Sequence, residues 1–327
     1  MEQQTKVAHI DTIDVCNLKC PTCVKGVRNL PNSPRKMPLE MFEQIISKLK
    51  SEGFTRVDLY NWTEPFLNRT LQEYVAAVRR IDLGCGLSTT LSIRHIDHLE
   101  ATLVAGIDTL IVSMSGLDQE TYEINHVGGR LEYVLANCDR IRAIRDRDRL
   151  DLDVRIKLLR FPYNAHQEAA FRAFAADRGF NFEVLDGVGD PLGATFASFD
   201  NAYFLDEMSK AAEMTSPEDR GEACPLLFDQ IALDCNGDVH LCCAMPNYAS
   251  LRIGPYLELS PSEILLRRYT HSFCRVCTMP RRTATVSDRQ RLILATTEML
   301  SARVARTGSK SGSDHRLLPV VGQYSST

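Results

Sequence analysis

The sequence predicts an α/β fold in which parallel strands form a barrel or an open sheet, followed by a cysteine-rich region of different character. Three observations support this prediction. Short apolar runs rich in β-branched residues alternate with helical patterns over residues 1–190. The helical patterns carry readable start and stop signals. From residue 191 a loop-like stretch replaces this alternation, and six of the eleven cysteines follow it.

Six apolar runs are predicted to be strands, and their alternation with helices indicates that the strands are parallel. They are Val7–Ile13, Arg56–Trp62, Gly86–Ser92, Asp108–Ser115, Asp153–Phe161 and Phe180–Gly187. In such arrays the active site forms where the strands reach their C-terminal ends. Functional side chains are therefore expected on the loops that follow these runs.

The helices between the strands are marked by residues that favour helix ends. One helix begins with Pro38 in its first turn and stops near Gly53. Another begins at Asn164 and Gln167, which are spaced as a capping box, and stops near Gly179. A third places five apolar residues on one face: Leu131, Val134, Leu135, Cys138 and Ile141.

Composition limits the class of protein. The 327 residues are 44% hydrophobic and 24% charged, as in ordinary globular proteins, and the net charge of -4 disfavours a nucleic-acid partner. The start MEQQTKVAHI lacks the apolar core of a signal peptide, and no apolar run reaches membrane-spanning length. We therefore expect a cytoplasmic protein without a membrane partner. In a reducing compartment, eleven cysteines suggest metal ligands or redox chemistry.

Three cysteines directly follow the first predicted strand, spaced C-x3-C-x2-C. They are Cys16, Cys20 and Cys23. Three thiolates on a short loop can hold three corners of a [4Fe–4S] cluster and leave the fourth iron open. Zinc is the alternative, but structural zinc sites have four ligands, and the nearest further candidate, His9, lies inside a predicted strand. The spacing favours iron and sulfur.

This loop resembles the signature of the radical S-adenosylmethionine (SAM) superfamily, although Thr22 stands where an aromatic residue is usual. The resemblance implies a partial (β/α)6 TIM-like barrel over residues 1–190. It also implies a [4Fe–4S] cluster whose unique iron binds the amino and carboxylate groups of SAM. Reductive cleavage of SAM then gives a 5′-deoxyadenosyl radical, which abstracts a hydrogen atom from a substrate. A flavodoxin- or ferredoxin-type reductant is implied as a partner.

The resemblance extends to positions that bind SAM in the superfamily. NWTEPFLN resembles the G-G-E-P segment, in which the glutamate accepts hydrogen bonds from the SAM ammonium, although an acid at a helix start is the alternative reading. Lys157 or Arg160 is a candidate partner for the SAM carboxylate. The positions that the resemblance assigns to SAM binding are Thr63, Glu64, Thr90, Ser113, Ser115 and His126.

The second cysteine-rich region contains a strong hairpin signal, Asn236-Gly237, between two short apolar runs. Four cysteines around a hairpin also describe a zinc ribbon. Behind a radical SAM signature, however, they resemble a Twitch domain, the short form of the SPASM domain. This implies one auxiliary [4Fe–4S] cluster in residues 191–285, before a C-terminal helix and disordered tail in residues 286–327. The implied ligands are Cys224, Cys242, Cys274 and Cys277.

Two further cysteines lie near this hairpin. Cys243 is expected to pack in the core, because strand alternation directs it away from Cys242. Cys235 lies beside the turn, and its thiol is a candidate hydrogen-atom donor, as in radical SAM epimerases. If the reaction is an oxidation, the groups at strand ends that could accept a proton are Tyr60, Asp186 and Asp190.

The resemblance therefore implies an oxidoreductase or epimerase that acts on a small molecule of the sugar, aminoglycoside or nucleoside type in secondary-metabolite biosynthesis. The alternative is a ribosomal-peptide maturase that forms crosslinks or epimerises residues. Because only a few residues precede the first strand, we expect no leader-peptide domain, which disfavours that alternative. A zinc-binding interaction protein is the non-enzymatic alternative.

Overall fold

The computed structural model describes residues 5–27, 35–187, 223–245, 249–277, 281 and 283–308. Its strands are β1 Val7–Ile10, β2 Arg56–Asp58, β3 Gly84–Thr89, β4 Thr109–Met114, β5 Asp153–Arg160, β6 Asn181–Asp186, β7 Gln230–Leu233, β8 Asp238–His240 and β9 Arg252–Pro255. Asp190 and residues 309–327, for which expectations were stated above, lie outside the described residues.

Eleven α-helices and three 3₁₀ turns surround these strands in the described part of the chain. The helices are α1 Val24–Val27, α2 Leu39–Ser51, α3 Leu71–Arg80, α4 Leu99–Val104, α5 Gln119–Asn125, α6 Leu131–Asp148, α7 Glu168–Asp177, α8 Pro225–Phe228, α9 Pro261–Tyr269, α10 Ser272–Val276 and α11 Val286–Gly308. The 3₁₀ turns are Pro65–Leu67, Ala165–Gln167 and Ala249–Leu251. No helix among the described residues combines the length and apolar character that crossing a membrane requires.

The described strands form one nine-stranded sheet in the order β6-β5-β4-β3-β2-β1-β7-β8-β9. Strands β1 to β6 are parallel and lie in chain order, which confirms the predicted α/β partial barrel. Strand β7 pairs parallel with β1, and β8 and β9 continue antiparallel. The predicted hairpin at Asn236-Gly237 therefore forms, and it extends the barrel sheet rather than standing apart from it.

The two faces of the sheet differ in polarity because successive side chains point to opposite sides. On β5, Val154, Ile156 and Leu158 are buried beneath the helices. Arg155 and Lys157 alternate with them and are half-buried on the opposite face, which we call the lumen. The helix-facing side carries the core, and the lumen is lined by polar residues.

Each of the six predicted strands is present, but all six end earlier than expected. The backbone beyond the strand ends bonds to side chains instead of to a neighbouring strand. The N–H groups of Asn61 and Trp62 donate to the Asp11 carboxylate, and the N–H of Thr90 donates to Glu64. Buried backbone groups must be paired. The carboxylates of Asp11 and Glu64 therefore replace the hydrogen bonds between strands at the points where the strands end.

The capping box predicted at Asn164 and Gln167 does not form. Asn164 is fully buried, where its Oδ1 accepts from the Phe161 N–H at 2.7 Å and its Nδ2 donates to the Ser115 carbonyl at 2.8 Å. The Gln167 side chain accepts from the N–H of Leu117 at 2.8 Å. Both amides satisfy backbone groups left open where β4 and β5 end, so they are unable to cap the helix.

Candidate functional site

The loop of Cys16, Cys20 and Cys23 lies between β1 and α1, at the C-terminal edge of the parallel strands. The Cys23 N–H donates to the Cys20 carbonyl at 3.1 Å, and the Gly26 N–H donates to the Cys23 carbonyl at 2.9 Å. A Cβ atom at Gly26 would lie only 2.2 Å from the carbonyl oxygen of Cys20. Glycine is therefore required here for the loop to close on itself.

The three thiols are close enough to influence one another's ionisation. Burial raises the pKa of Cys16 to about 12, and it also raises the pKa values of Cys20 and Cys23. The negative charges of Cys23 and Cys16 raise the pKa of Cys20 further. The N–H groups of Lys25 and Gly26 bond to the Cys23 sulfur and favour its thiolate. Three sulfur ligands with N–H donors suit an iron–sulfur cluster, because soft thiolates select such clusters.

No three His, Cys, Asp or Glu side chains among the described residues converge closely enough to share a single metal ion. In a [4Fe–4S] cluster each cysteine binds a separate iron, so its thiolates stand farther apart than the ligands of one ion. The cysteine loop is therefore compatible with a cluster.

Asp11, which the sequence reasoning missed, holds the segment that follows β2. Its side chain is 2% exposed, and its Oδ1 accepts from the Asn61 N–H at 2.9 Å and from the Thr63 hydroxyl at 2.6 Å. Both of its oxygens accept from the Trp62 N–H. Burial raises the pKa of Asp11, and these donors oppose the rise. The sequence did contain a signal for Asp11, since it is an acidic residue inside an apolar predicted strand.

Glu64 lies at the end of the same segment and is 2% exposed. Its Oε1 accepts from the Thr89 hydroxyl at 2.6 Å and from the Phe66 N–H at 3.2 Å. Its Oε2 accepts from the N–H and the hydroxyl of Thr90, at 2.9 and 3.1 Å. An ionised carboxylate accepts about four such bonds, so its capacity is filled by the protein. Glu64 thus caps the Pro65–Leu67 turn and also joins β2 to β3.

Ser115 and His126 are brought together and are fully buried. The Ser115 hydroxyl donates to the Tyr122 carbonyl at 3.1 Å, so its oxygen accepts from His126 Nδ1 at 2.6 Å. The His126 ring stacks on Tyr122 at 4.7 Å, and burial lowers the pKa of His126 to about 4. The end of α5 then contacts the cysteine loop, where the Lys19 N–H donates to the Val127 carbonyl at 3.0 Å.

The remaining candidates on β4, β5 and β6 divide between the lumen and the surface. Ser113 is half-buried in the lumen, with its hydroxyl 3.5 Å from that of Ser88. Lys157 pairs with Glu183 at 2.8 Å in the lumen, and burial lowers the pKa of Lys157. Arg160 instead forms an exposed ion pair with Asp186 at 2.7 Å. Arg160 and Asp186 therefore lie outside the lumen.

A polar network crosses the lumen below the cysteine loop, and most of its members were missed by the sequence reasoning. His9 Nε2 lies 3.2 Å from Gln230 Oε1, and His9 Nδ1 lies 3.8 Å from the Asp58 carboxylate. The Tyr60 hydroxyl donates to Asp58 at 3.4 Å. The Cys243 thiol donates to Gln230 at 2.9 Å. Cys243 is thus half-buried beside the lumen and not in the core, because β8 ends at His240 and strand alternation stops there.

Cys235 is only 4% exposed and packs within the main core. Burial and the charges of Asp14 and Asp234 raise the pKa of Cys235 to about 12. Its role as a hydrogen-atom donor stays a prediction.

The four cysteines of the second set line one cavity of about 290 Å³. Cys224 directly precedes α8, Cys242 follows β8, and Cys274 and Cys277 lie in and after α10. Burial raises the pKa of Cys242 to about 11 and that of Cys274 to about 12. Arg268 and Arg281 lie in the same lining. The structure therefore brings together four thiols that are separated by up to 53 residues in sequence.

Comparison with solved structures shows a shared fold. SuiB from Streptococcus suis matches with a TM-score of 0.60 at 15% identity, over 82% of this chain and 66% of SuiB. SuiB bound to precursor peptide SuiA matches with a TM-score of 0.58 at 15% identity, over 82% of this chain and 65% of that chain. This chain therefore spans slightly less than two thirds of the length of SuiB. The structure of anSMEcpe with bound AdoMet matches with a TM-score of 0.56 at 12% identity, over 93% of this chain and 95% of that chain.

No curated protein matches the sequence. Residues 10–149 match the family model described as the Radical SAM superfamily. That segment contains the three-cysteine loop, Asp11, Glu64 and the α5 segment that contacts the loop. A [4Fe–4S] cluster and SAM are the cofactors that this family implies, and the cysteine loop provides suitable ligands for the cluster. The match confirms, for this part of the chain, what the cysteine spacing predicted: residues 10–149 match a radical SAM domain.

Proposed function

We propose that this protein cleaves SAM reductively and abstracts a hydrogen atom from a small polar substrate of the sugar, aminoglycoside or nucleoside type, giving oxidation or epimerisation in secondary-metabolite biosynthesis. The cluster, when bound, supplies the electron that splits SAM into methionine and a 5′-deoxyadenosyl radical. A flavodoxin- or ferredoxin-type protein provides that electron. The observation that carries the substrate class is the polar, half-buried lumen below the cysteine loop.

The protein's part in SAM cleavage is to hold the three thiolates and the adjoining strand ends. Cys16, Cys20 and Cys23 would bind three irons of the cluster, and Gly26 permits the loop to close. Glu64 and Thr90 lie at the same edge of the sheet. The Thr90 hydroxyl donates to the Glu64 carboxylate at 3.1 Å, and it is the neutral donor that the ammonium group of SAM would replace. A charged donor forms the stronger bond with a carboxylate, which favours the exchange.

The charges of the lumen support a substrate that carries hydroxyl or amino groups. Lys157 and Glu183 supply charges of both signs on the neighbouring strands β5 and β6, and the neutral His9 ring lies beside the Asp58 carboxylate. The side chains of His9 and Lys157 are 14% and 20% exposed, so they retain contact with the open lumen. An apolar substrate would displace the water that these side chains still contact without replacing its hydrogen bonds, at a cost of about 1–3 kcal/mol for each unsatisfied group.

An oxidation also requires a group that removes a proton from the substrate radical, and His9 is the lumen residue best suited to it. Burial lowers the pKa of His9, and the nearby Asp58 carboxylate opposes that shift. The imidazole is therefore neutral at pH 7, and Asp58 stabilises its protonated form. Burial raises the pKa of Tyr60, which makes this phenol a poor proton acceptor at neutral pH.

Isotope transfer tests the substrate class. The anaerobic, reconstituted and reduced protein would be incubated with SAM and deuterated sugars, aminoglycosides or nucleosides. We expect deuterium in 5′-deoxyadenosine with at least one of them. His9→Gln should retain this transfer but lower the yield of oxidised product, whereas His95→Gln, at an exposed loop position, should change neither. Cleavage of SAM without label from any candidate would refute the substrate class.

The second candidate function is maturation of a ribosomal peptide. The observation that favours it is the shared fold with SuiB, whose structure with precursor peptide SuiA is among the matches. The two functions differ in where hydrogen is removed. Label that passes to 5′-deoxyadenosine from a deuterated precursor peptide, and from no small molecule, would support the peptide function.

We further propose that Cys224, Cys242, Cys274 and Cys277 bind an auxiliary [4Fe–4S] cluster in residues 191–285. Their shared cavity and the buried Arg268 support this, because a thiolate-bound cluster carries negative charge. The loaded protein should contain about eight irons per chain, and Cys242→Ala should reduce this to about four. A wild-type protein with only four irons, or one zinc in place of the second cluster, would contradict the proposal.

A further inference from the structure

Arg268 on α9 is a fully buried cation, only 3% exposed. Its Nε donates to the Leu241 carbonyl at 2.7 Å, and its Nη2 donates to the Leu226 carbonyl at 2.7 Å. Its Nη1 donates to the carbonyls of Leu227 and Gln230 at 3.1 and 2.9 Å. Four N–H groups of the guanidinium are therefore satisfied by neutral main-chain oxygens, which leaves its positive charge to be balanced by another group.

The residues that accept these bonds connect the segments that carry the cysteines. Leu226 and Leu227 lie two and three residues after Cys224, and Leu241 directly precedes Cys242. Arg268 itself lies six residues before Cys274. One guanidinium thus fixes the relative positions of three cysteine-bearing segments. Its planar fork of donors allows this, whereas an ammonium group would reach fewer carbonyls.

The electrostatic environment of Arg268 indicates which group balances its charge. Arg268 lines the same cavity as Cys224, Cys242, Cys274 and Cys277. A buried cation without an anionic partner is very costly, so thiolates in the adjoining cavity are the natural counter-charge. Cysteines that bind iron do so as thiolates, so a bound cluster would supply that negative charge.

We propose that Arg268 is the positioning residue and fixed counter-charge of the auxiliary cluster, and that it raises the cluster's reduction potential. This rests on the auxiliary cluster proposed above. Reduction adds one electron, and therefore one negative charge, to the cluster. A fixed positive charge in a buried site stabilises the more negative form and makes the cluster a better electron acceptor.

The test isolates the auxiliary site by replacing Cys16, Cys20 and Cys23 with alanine in the full chain. Iron content, the visible spectrum and the midpoint potential in an anaerobic redox titration would be measured. Arg268→Gln removes the charge, Arg268→Lys keeps it, and Arg267→Gln serves as a control on the same helix outside the cavity lining. In this background about four irons are expected with Arg268 unchanged.

We expect Arg268→Gln to shift the midpoint potential at least ~59 mV lower, which is a tenfold change in a one-electron equilibrium. Arg268→Lys should keep the potential near that of the parent but lose iron faster to a chelator, because it makes fewer hydrogen bonds. If Arg268→Gln fails to retain iron, retention by Arg268→Lys still supports the role of the charge.

Two results would overturn the inference. One is an unchanged potential in Arg268→Gln with four irons bound. The other is equal loss of iron in the Gln and Lys variants. If the background protein with Arg268 intact binds no iron–sulfur cluster, the auxiliary cluster itself is refuted, and that failure is distinct from the first two.

Discussion

Replacing Asp11 tests how the barrel edge supports the cysteine loop. Asp11→Ala would leave the N–H groups of Asn61 and Trp62 and the hydroxyl of Thr63 without their acceptor. Each unsatisfied group costs about 1–3 kcal/mol. The buried carboxylate is itself costly, as the rise in its pKa shows, and removing it recovers that desolvation cost. This gain offsets part of the loss. We therefore expect a net destabilisation of about 3–5 kcal/mol.

Asp11→Asn is the matched control. Three of the four contacts converge on Oδ1, which an amide oxygen can replace, and only the contact from the Trp62 N–H to Oδ2 would face an amide nitrogen. The expected loss is about 1–2 kcal/mol. Urea unfolding gives the free energies, and iron content gives the effect on the loop. Equal losses in the two variants, or a loss below 1 kcal/mol in Asp11→Ala, would refute the reasoning.

Three further predictions concern the same edge. Gly26→Ala should lower the iron content of the first site severalfold, because the added Cβ would lie 2.2 Å from the Cys20 carbonyl oxygen. Iron content equal to that of wild type would contradict this. The pKa of His126 is lowered to about 4 in the folded state, so stability should be lost as pH falls below 6.5. Wild type should lose about 2 kcal/mol more than His126→Gln between pH 7 and 5 in urea unfolding, whereas parallel pH profiles would disprove it. Asn164→Ala should lower the free energy of unfolding by about 2–4 kcal/mol in urea, because it leaves three buried backbone groups unpaired. A loss below 1 kcal/mol would contradict that role.

The existence of strands β1 to β6 was predictable because each is an apolar run between helix signals. Their ends were not, because they depend on contacts across the sheet. The N–H of Thr90 bonds to Glu64 rather than to the next strand. Such a bond between residues 26 positions apart leaves no local pattern in the sequence.

The same limit applies to the hairpin. The Asn236-Gly237 turn is a local signal and was predicted correctly. The parallel pairing of β7 with β1, which joins residues more than 220 positions apart, has no local signal. That pairing brings Gln230 beside His9 and places Cys243 next to the lumen, and neither position was anticipated.

Of the site, the cysteines were predictable because their spacing is local and chemically restrictive. The lumen residues were not, because His9, Asp58 and Gln230 are single polar residues in short strands. The resemblance assigned Ser115 and His126 to SAM binding, and in the structure they bond to each other. Their role in SAM binding stays a prediction.

The most direct test of the central claim is the production of 5′-deoxyadenosine by the anaerobic, reconstituted and reduced protein supplied with SAM. We expect 5′-deoxyadenosine from wild type and none above background from Cys16→Ala. Wild-type protein that binds its iron but forms no 5′-deoxyadenosine, even with candidate substrates present, would contradict the account.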